Sequence, residues 1–246
     1  MHKFSIDINA DVGEGINNES QLLPLISSCN IACGAHAGTM EIMQDVVKLA
    51  KIHGVKIGAH PSFPDPENFG RTPMQMSRSA LYKSIEDQVV LLLDILKTEG
   101  LTLHHVKPHG ALYNLAVTDA QIAKIVVDVL KQLSAPTLLY VPYKSVIAKI
   151  ALKQDIPIIY EVFADRQYND DLTLVSRKEP NAVFHDTNQV YEHVYRMVSE
   201  GKVKTISGKL VPIKAQTVCV HGDNPKAINL ANLLKTKLEE VGISIE

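Results

Sequence analysis

Seven short β-type runs alternate with stretches of helical period, and this alternation restricts the chain's fold more than any other feature. The runs are "KFSIDINAD", "SCNIACGAH", "VKIGAHP", "LHHVKPHG", "TLLYVPY", "PIIYEVFAD" and "TVCVHGD". Between them, apolar residues recur on single helical faces. Ile42, Val46 and Leu49 form one face; Leu81, Ile85, Val89, Leu92 and Leu96 form a longer one behind the cap candidate Ser77. Ile122, Val126, Val129 and Leu133 follow the cap candidate Thr118, and further faces run through Val146, Ile147 and Ile150, through Val190, Val194 and Met197, and from Ala227 to Val241. Each apolar face needs a surface to pack on. Strands in alternation with helices predict a parallel sheet covered by helices, here an irregular (β/α) barrel of about seven parallel strands. A doubly wound open sheet is the alternative, although no GxGxxG or GxxxxGK[ST] stretch is present to mark one.

Two segments depart from the alternation. Residues 60 to 74, "HPSFPDPENFGRTPM", are too rich in Pro and Gly for a regular element and read as a long loop. Residues 202 to 214, "KVKTISGKLVPIK", read as a hairpin turning at Ser207-Gly208. With no linker or repeat in view, 1–246 is expected to form a single domain. Hydrophobic residues at 46%, charged residues at 21% and a formal net charge of −2 describe an ordinary globular chain, with no basic field for nucleic acid. No apolar leader or membrane span is visible, so a cytoplasmic setting is expected. Three cysteines, Cys29, Cys33 and Cys219, are too few and too odd in number for a disulfide framework. They read as small buried residues.

Strand side chains alternate between faces, so parity shows which residues share a side. Asp7, Asn9 and Asp11 share one parity, followed by Asn30, Gly34 and His36; by Gly58 and His60; by His105, Lys107 and His109; by Glu161, Phe163 and Asp165; and by His221 and Asp223. Parallel barrel strands are normally apolar on both faces, so a polar register recurring in six strands points to a lined mouth rather than to packing. These residues fall at the C-terminal ends of the runs, where barrels build active sites. Small residues around His36 in "NIACGAHAG" leave room for close approach of a ligand, or else form a tight turn in which the imidazole only meets backbone. His53 reads as helix-end packing, and His2, His104, His185 and His193 show no partner pattern.

Two chemistries fit such a set. In one, histidines and an aspartate, with Asp11, His36, His60 and His109 as candidates, hold a divalent metal that polarises a carbonyl or activates water. In the other, Asp11, Asp165 or Asp223 orients a histidine as general acid or base while Lys107 or Arg166 stabilises an anion. Lys107 either acts in the mouth or forms an internal salt bridge with Glu161 or Asp165. Arg71 either clamps an anion or anchors its loop. Serine chemistry has no GxSxG behind it, and Cys219 lies deeper on its strand than His221.

Seven stretches, "DINADVGEG", "NIACGAHAG", "GAHPSFPD", "FGR", "HVKPHGALYN", "EVFADRQY" and "CVHGDNP", closely resemble the LamB/YcsF family in order and almost from end to end. Ala35 and the pair Gly15-Ile16 depart from the family's commoner Phe and Ser-Phe, which affects pocket shape rather than the polar set. The resemblance implies a glycoside hydrolase/deacetylase-like barrel serving as the A component of an ATP-dependent 5-oxoprolinase. Its partners would be the B and C components of that enzyme, and its substrate 5-oxo-L-proline. A stand-alone metal-dependent hydrolase or deacetylase on the same barrel is the alternative. The residues expected to carry chemistry are Asp11, His36, His60, Lys107, His109, Asp165 and His221, with Asp7, Asn9, Asn30, Arg71, Glu161, Arg166 and Asp223 binding substrate. ATP is the expected cosubstrate, held here or by the partners.

Overall fold

The computed structural model describes residues 4–133 and 137–246; His2, with no expected partner, and the first residue of the run "KFSIDINAD" lie outside the described residues. Seven parallel strands close a barrel: β1 (Phe4–Val12), β2 (Ser28–Ala32), β3 (Lys56–His60), β4 (His105–Val106), β5 (Leu138–Pro142), β6 (Ile158–Phe163) and β9 (Thr217–Val220). The ring closes where Asp7 to Ala10 of β1 pair with Thr217 to Val220 of β9. An open sheet is thereby excluded. A short β10 (Ile243–Ile245) adds to the start of β1, and β7 (Lys202–Lys204) with β8 (Leu210–Pro212) forms the expected hairpin outside the barrel.

The helices are α1 (Glu19–Leu22), α2 (Met40–His53), α3 (Arg78–Thr98), α4 (Gly110–Thr118), α5 (Ala120–Gln132), α6 (Val146–Lys153), α7 (Thr187–Ser199) and α8 (Ala227–Glu240). The periodic residues do what their spacing predicts: Leu81, Ile85, Val89, Leu92 and Leu96 are all buried in the helix that Ser77 caps through Ala80 N. Three local expectations are corrected. Asp119, not Thr118, caps α5, because its carboxylate accepts from both Gln121 N and Ile122 N. His53 is exposed at the end of α2, since the C-cap Gly54 turns the chain away before the ring reaches a neighbour. The second strand stops at Ala32, so His36 hangs in a turn rather than standing in the strand register.

That turn explains "NIACGAHAG". Gly38 has φ +85°, and a Cβ there would stand 2.9 Å from Ala32 O. Only glycine folds back so closely in the left-handed region. Gly58 meets a different demand: a Cβ would lie 2.1 Å from His105 Nε2, so the bare backbone of β3 is the seat for that imidazole. The long loop after β3 is held by Gln88 of α3, whose amide donates to Ser62 O and accepts from Ser62 N, each at 2.9 Å. Ala111 N, at the start of α4, donates to Gly70 O. The loop is thus fastened at both ends over the C-terminal mouth of the barrel.

Candidate active site

Polar side chains fill the barrel axis in tiers. At the N-terminal end Asp7 accepts from Ser28 and Thr217, and its carboxyl is pushed up by burial despite those bonds and nearby Lys56. Asp7 therefore sits at the opposite end from the mouth. In the next tier Asn9 Nδ2 donates to Glu161 and Thr217 while its Oδ1 accepts from Asn30, and His105 Nε2 donates to Asn30 Oδ1 at 2.7 Å. Asn9, Asn30 and His105 are fully buried and form the floor beneath the cavity rather than its lining.

Lys107 stands on that floor. Its ammonium, 2% exposed, lies 2.9 Å from Asp11 Oδ1 and 2.9 Å from Glu161 Oε1, and reaches Asn9 Oδ1 and Cys219 Sγ as well. Burial alone would lower its pKa, but Asp11, Cys219 and Glu161 outweigh this and hold it well above the usual lysine value. Burial would likewise raise the Asp11 carboxyl, yet His60 and Lys107 keep it well below the carboxylate range. Glu161 also accepts from the Tyr113 phenol at 2.7 Å. The cation is fixed and charged at the floor of the cavity.

Above it, three imidazoles cluster. His60 Nδ1 donates to Lys107 O at 2.7 Å and His109 Nε2 to Phe69 O at 2.9 Å, because a carbonyl can only accept. The remaining nitrogens, His60 Nε2 and His109 Nδ1, then face each other at 2.9 Å. Two neutral rings would oppose two lone pairs there, so a proton or a cation must lie between them. His36 stacks on His109 with centroids 3.9 Å apart. Its Nδ1 donates to Ser62 Oγ, whose own proton is used on Phe63 O, leaving His36 Nε2 to accept from Glu14 at 3.2 Å. Glu14 must then carry a proton. Burial, with Asp11 and Asp223 nearby, raises its pKa to about 9, and burial beside His60 lowers that of His36 to about 3.

A second dyad stands across the mouth. His221 Nδ1 donates to Asp165 Oδ1 at 2.7 Å, which leaves Nε2 unbonded on a ring that lines the cavity. Burial would raise Asp165, but His221 and Asn224 hold it down at about 2. Arg71 pairs with Asp223 across the rim and lies over the Phe69 ring, so it fastens the long loop to the end of β9.

The cavity enclosed by these groups measures about 480 Å³. Asp11, His60, Lys107, His109, Glu161 and His221 line it, as do Arg71 and Arg166, with Phe163, Leu172 and Leu174 as apolar walls. His36, Asp165 and Asp223 stand behind this lining. Glu14 and Tyr113 escaped the sequence reading: Glu14 occupies a turn beyond the strand register, and Tyr113 lies on α4, whose pattern is masked by the Pro108-His109-Gly110 breaker. Ligand atoms of Asp11, Glu14, His60 and His109 all lie within 4.8 Å of one another. Two imidazoles and two carboxylates suit a divalent ion, and the opposed His60 and His109 lone pairs are oriented to share one. Glu14 rather than His36 completes that group.

Comparison with known proteins follows the same pattern. The LamB/YcsF family model matches residues 6–246. The A component of 5-oxoprolinase from Haemophilus influenzae (strain PittEE) is 44% identical over 240 residues, covering 98% of each sequence. The crystal structure of a lactam utilization protein from Thermus thermophilus superposes with a TM-score of 0.93 at 36% identity, covering 99% of both chains. T48 deacetylase with substrate aligns with a TM-score of 0.53 at 13% identity, over 99% of this chain and 88% of that one, and shares the fold alone.

Proposed function

The chain belongs to the LamB/YcsF family, and from that premise we propose that it is the A component of an ATP-dependent 5-oxoprolinase. With the B and C components it converts 5-oxo-L-proline, ATP and water to L-glutamate, ADP and phosphate. The observation that carries this reading is one cavity bordered by a buried ammonium, the facing pair His60 and His109, and His221 held by Asp165. Opening a lactam breaks a resonance-stabilised amide, which requires charge stabilisation at the carbonyl oxygen, a base for water and an acid for the ring nitrogen. Lys107 supplies fixed positive charge for the oxygen. His221, held by Asp165, takes the proton of water at Nε2, and the proton between His60 and His109 goes to the leaving nitrogen.

ATP activates the ring: its γ-phosphoryl passes to the lactam carbonyl oxygen with release of ADP, water adds to that carbon, C–N cleavage gives the γ-glutamyl phosphate, and a second water releases phosphate and L-glutamate. No phosphate-cradling loop occurs in the sequence, and in this reading nucleotide contacts fall to the partner proteins. The free, buried thiols of Cys29, Cys33 and Cys219 fit a reducing, cytoplasmic setting. Among the described residues no helix is long and apolar enough to cross a membrane.

The reading is tested by mixing purified chain with its two partners: glutamate appears only when ATP and 5-oxoproline are both present. Alanine at His60, His109 or His221 lowers kcat by about 10² to 10⁴, the usual contribution of a positioned acid or base. Unchanged rates in all three variants would remove the site assignment. The cluster of Asp11, Glu14, His60 and His109 favours a second reading, a stand-alone metal-dependent hydrolase or deacetylase. These four residues would hold a divalent ion, which would supply Lewis acidity. Stoichiometric metal in the purified chain, with chelator-sensitive release of acetate from N-acetyl sugars, would establish that alternative; absence of both would eliminate it.

A further inference from the structure

Four basic side chains line the cavity, and their partners divide them into two kinds. Lys107 is ion-paired with Asp11 and Glu161, and Arg71 with Asp223. Arg166 and Arg177 have no carboxylate within ion-pair distance among the described residues. Arg166 is only 6% exposed, donates one bond from Nη2 to Val175 O, and keeps a buried Nε with no acceptor. A buried guanidinium lacking an anion is costly, and the cost is relieved when an anionic ligand arrives. Both arginines line this one cavity, and burial first, then the charge of Arg177, lowers the Arg166 pKa to about 10 against the opposing pull of Asp165.

The fold holds this pair in place. After β6 the chain doubles back through isolated antiparallel bridges, Arg166 to Val183 and Tyr168 to Leu174, and Val175 N donates to Gln167 O. The resulting loop carries Arg177 and Ser176 to the cavity wall, next to the apolar faces of Leu172 and Leu174. Planar guanidinium donors are matched to a planar carboxylate.

We propose that Arg166 and Arg177 form a carboxylate-recognition subsite, which selects lactams bearing a ring carboxylate over neutral lactams. The assignment rests on the 5-oxoprolinase reading and sharpens it: Lys107 serves the reacting carbonyl, and the arginine pair serves the far end of the substrate. The apolar walls between them receive the ring methylenes.

The test compares Arg166→Gln and Arg177→Gln in the reconstituted three-component enzyme, and by calorimetry on the full chain alone. Each variant raises KM for 5-oxoproline at least tenfold while kcat stays within about threefold, and Arg166→Lys recovers part of the loss. In calorimetry, the wild-type preference for 5-oxoproline over neutral 5-oxoprolinamide collapses in both variants. Arg177 is exposed, so its replacement leaves the fold intact and keeps the test valid even where Arg166→Gln misfolds. KM values within twofold of wild type in Arg177→Gln would overturn the paired assignment. A raised KM for ATP with an unaltered KM for 5-oxoproline would also overturn it, placing a phosphoryl group there instead. Wild-type enzyme that releases no glutamate at all would refute the underlying function rather than the subsite.

Discussion

Lys107 is the residue on which most of the site's charge balance depends. Replacing it with Met removes the ammonium shared by the buried Asp11 and Glu161, and breaking such a buried pair costs about 3–5 kcal/mol. Chemical denaturation of Lys107→Met should register a loss of that size together with loss of turnover; a stable but inactive variant would show that the lysine acts on substrate without supporting the fold. Glu14 makes a pH prediction. Its carboxyl has an ordinary value of 4.5 and about 9 in the fold, so between these limits the folded chain holds the extra proton and stability falls as pH rises. His36 works in the opposite sense, shifted from 6.5 to about 3, and its contribution is lost as pH falls through that window. From pH 7 to 9 only the Glu14 effect operates of these two, and Glu14→Gln should flatten the decline in denaturation midpoint; parallel slopes in wild type and variant would show that Glu14 is ionised. Residue by residue, the polar register exposed Asp11, His60, Lys107 and His221 because each stands in or one position beyond a strand. It missed Glu14 because parity says nothing about a turn.

Elements were legible where their period is unbroken. The face of α3 and the strand β6 are continuous patterns, whereas β4 shrinks to His105–Val106 because Pro108 cannot donate to a ladder. Helix α4 was hidden because Gly110 and Pro108 signal a turn, yet His109 N bonds Pro61 O and Gly70 O receives Ala111 N, so tertiary bonds start the helix where local propensity would not. The loop from 164 to 186 carries no period at all, and its bridges, Arg166 to Val183 and Tyr168 to Leu174, leave no mark in the sequence pattern. The cap of α5 gives a direct comparison: Asp119→Ala should cost about 1 kcal/mol, within the usual 0.5–2 for a lost N-cap, and Thr118→Ala less than about 0.5. A larger cost at Thr118 than at Asp119 in thermal unfolding would return the cap to Thr118. Gln88 links α3 to the long loop, and Gln88→Leu leaves Ser62 N and O unpaired in the interior. A loss of about 1–3 kcal/mol for each stranded group is expected by denaturation, accompanied by reduced turnover because Ser62 positions His36.

At the scale of the molecule, a barrel closed by β1 against β9 has no free sheet edge, and its axis is occupied by one connected polar network from Asp7 to His109. We propose that the chain unfolds as a single domain, so that fluorescence and circular dichroism transitions coincide; separated midpoints would divide it. The same closure is why residues distant in sequence, Asp11 and His221 among them, reach one cavity. That this cavity receives 5-oxo-L-proline is the central claim. A crystal structure of the chain soaked with that compound tests it most directly. The predicted result is a lactam ring against Phe163, its carbonyl toward Lys107 and its carboxylate on Arg166 and Arg177; a saturating soak that leaves the cavity without ligand, or seats the ligand elsewhere on the chain, would contradict it.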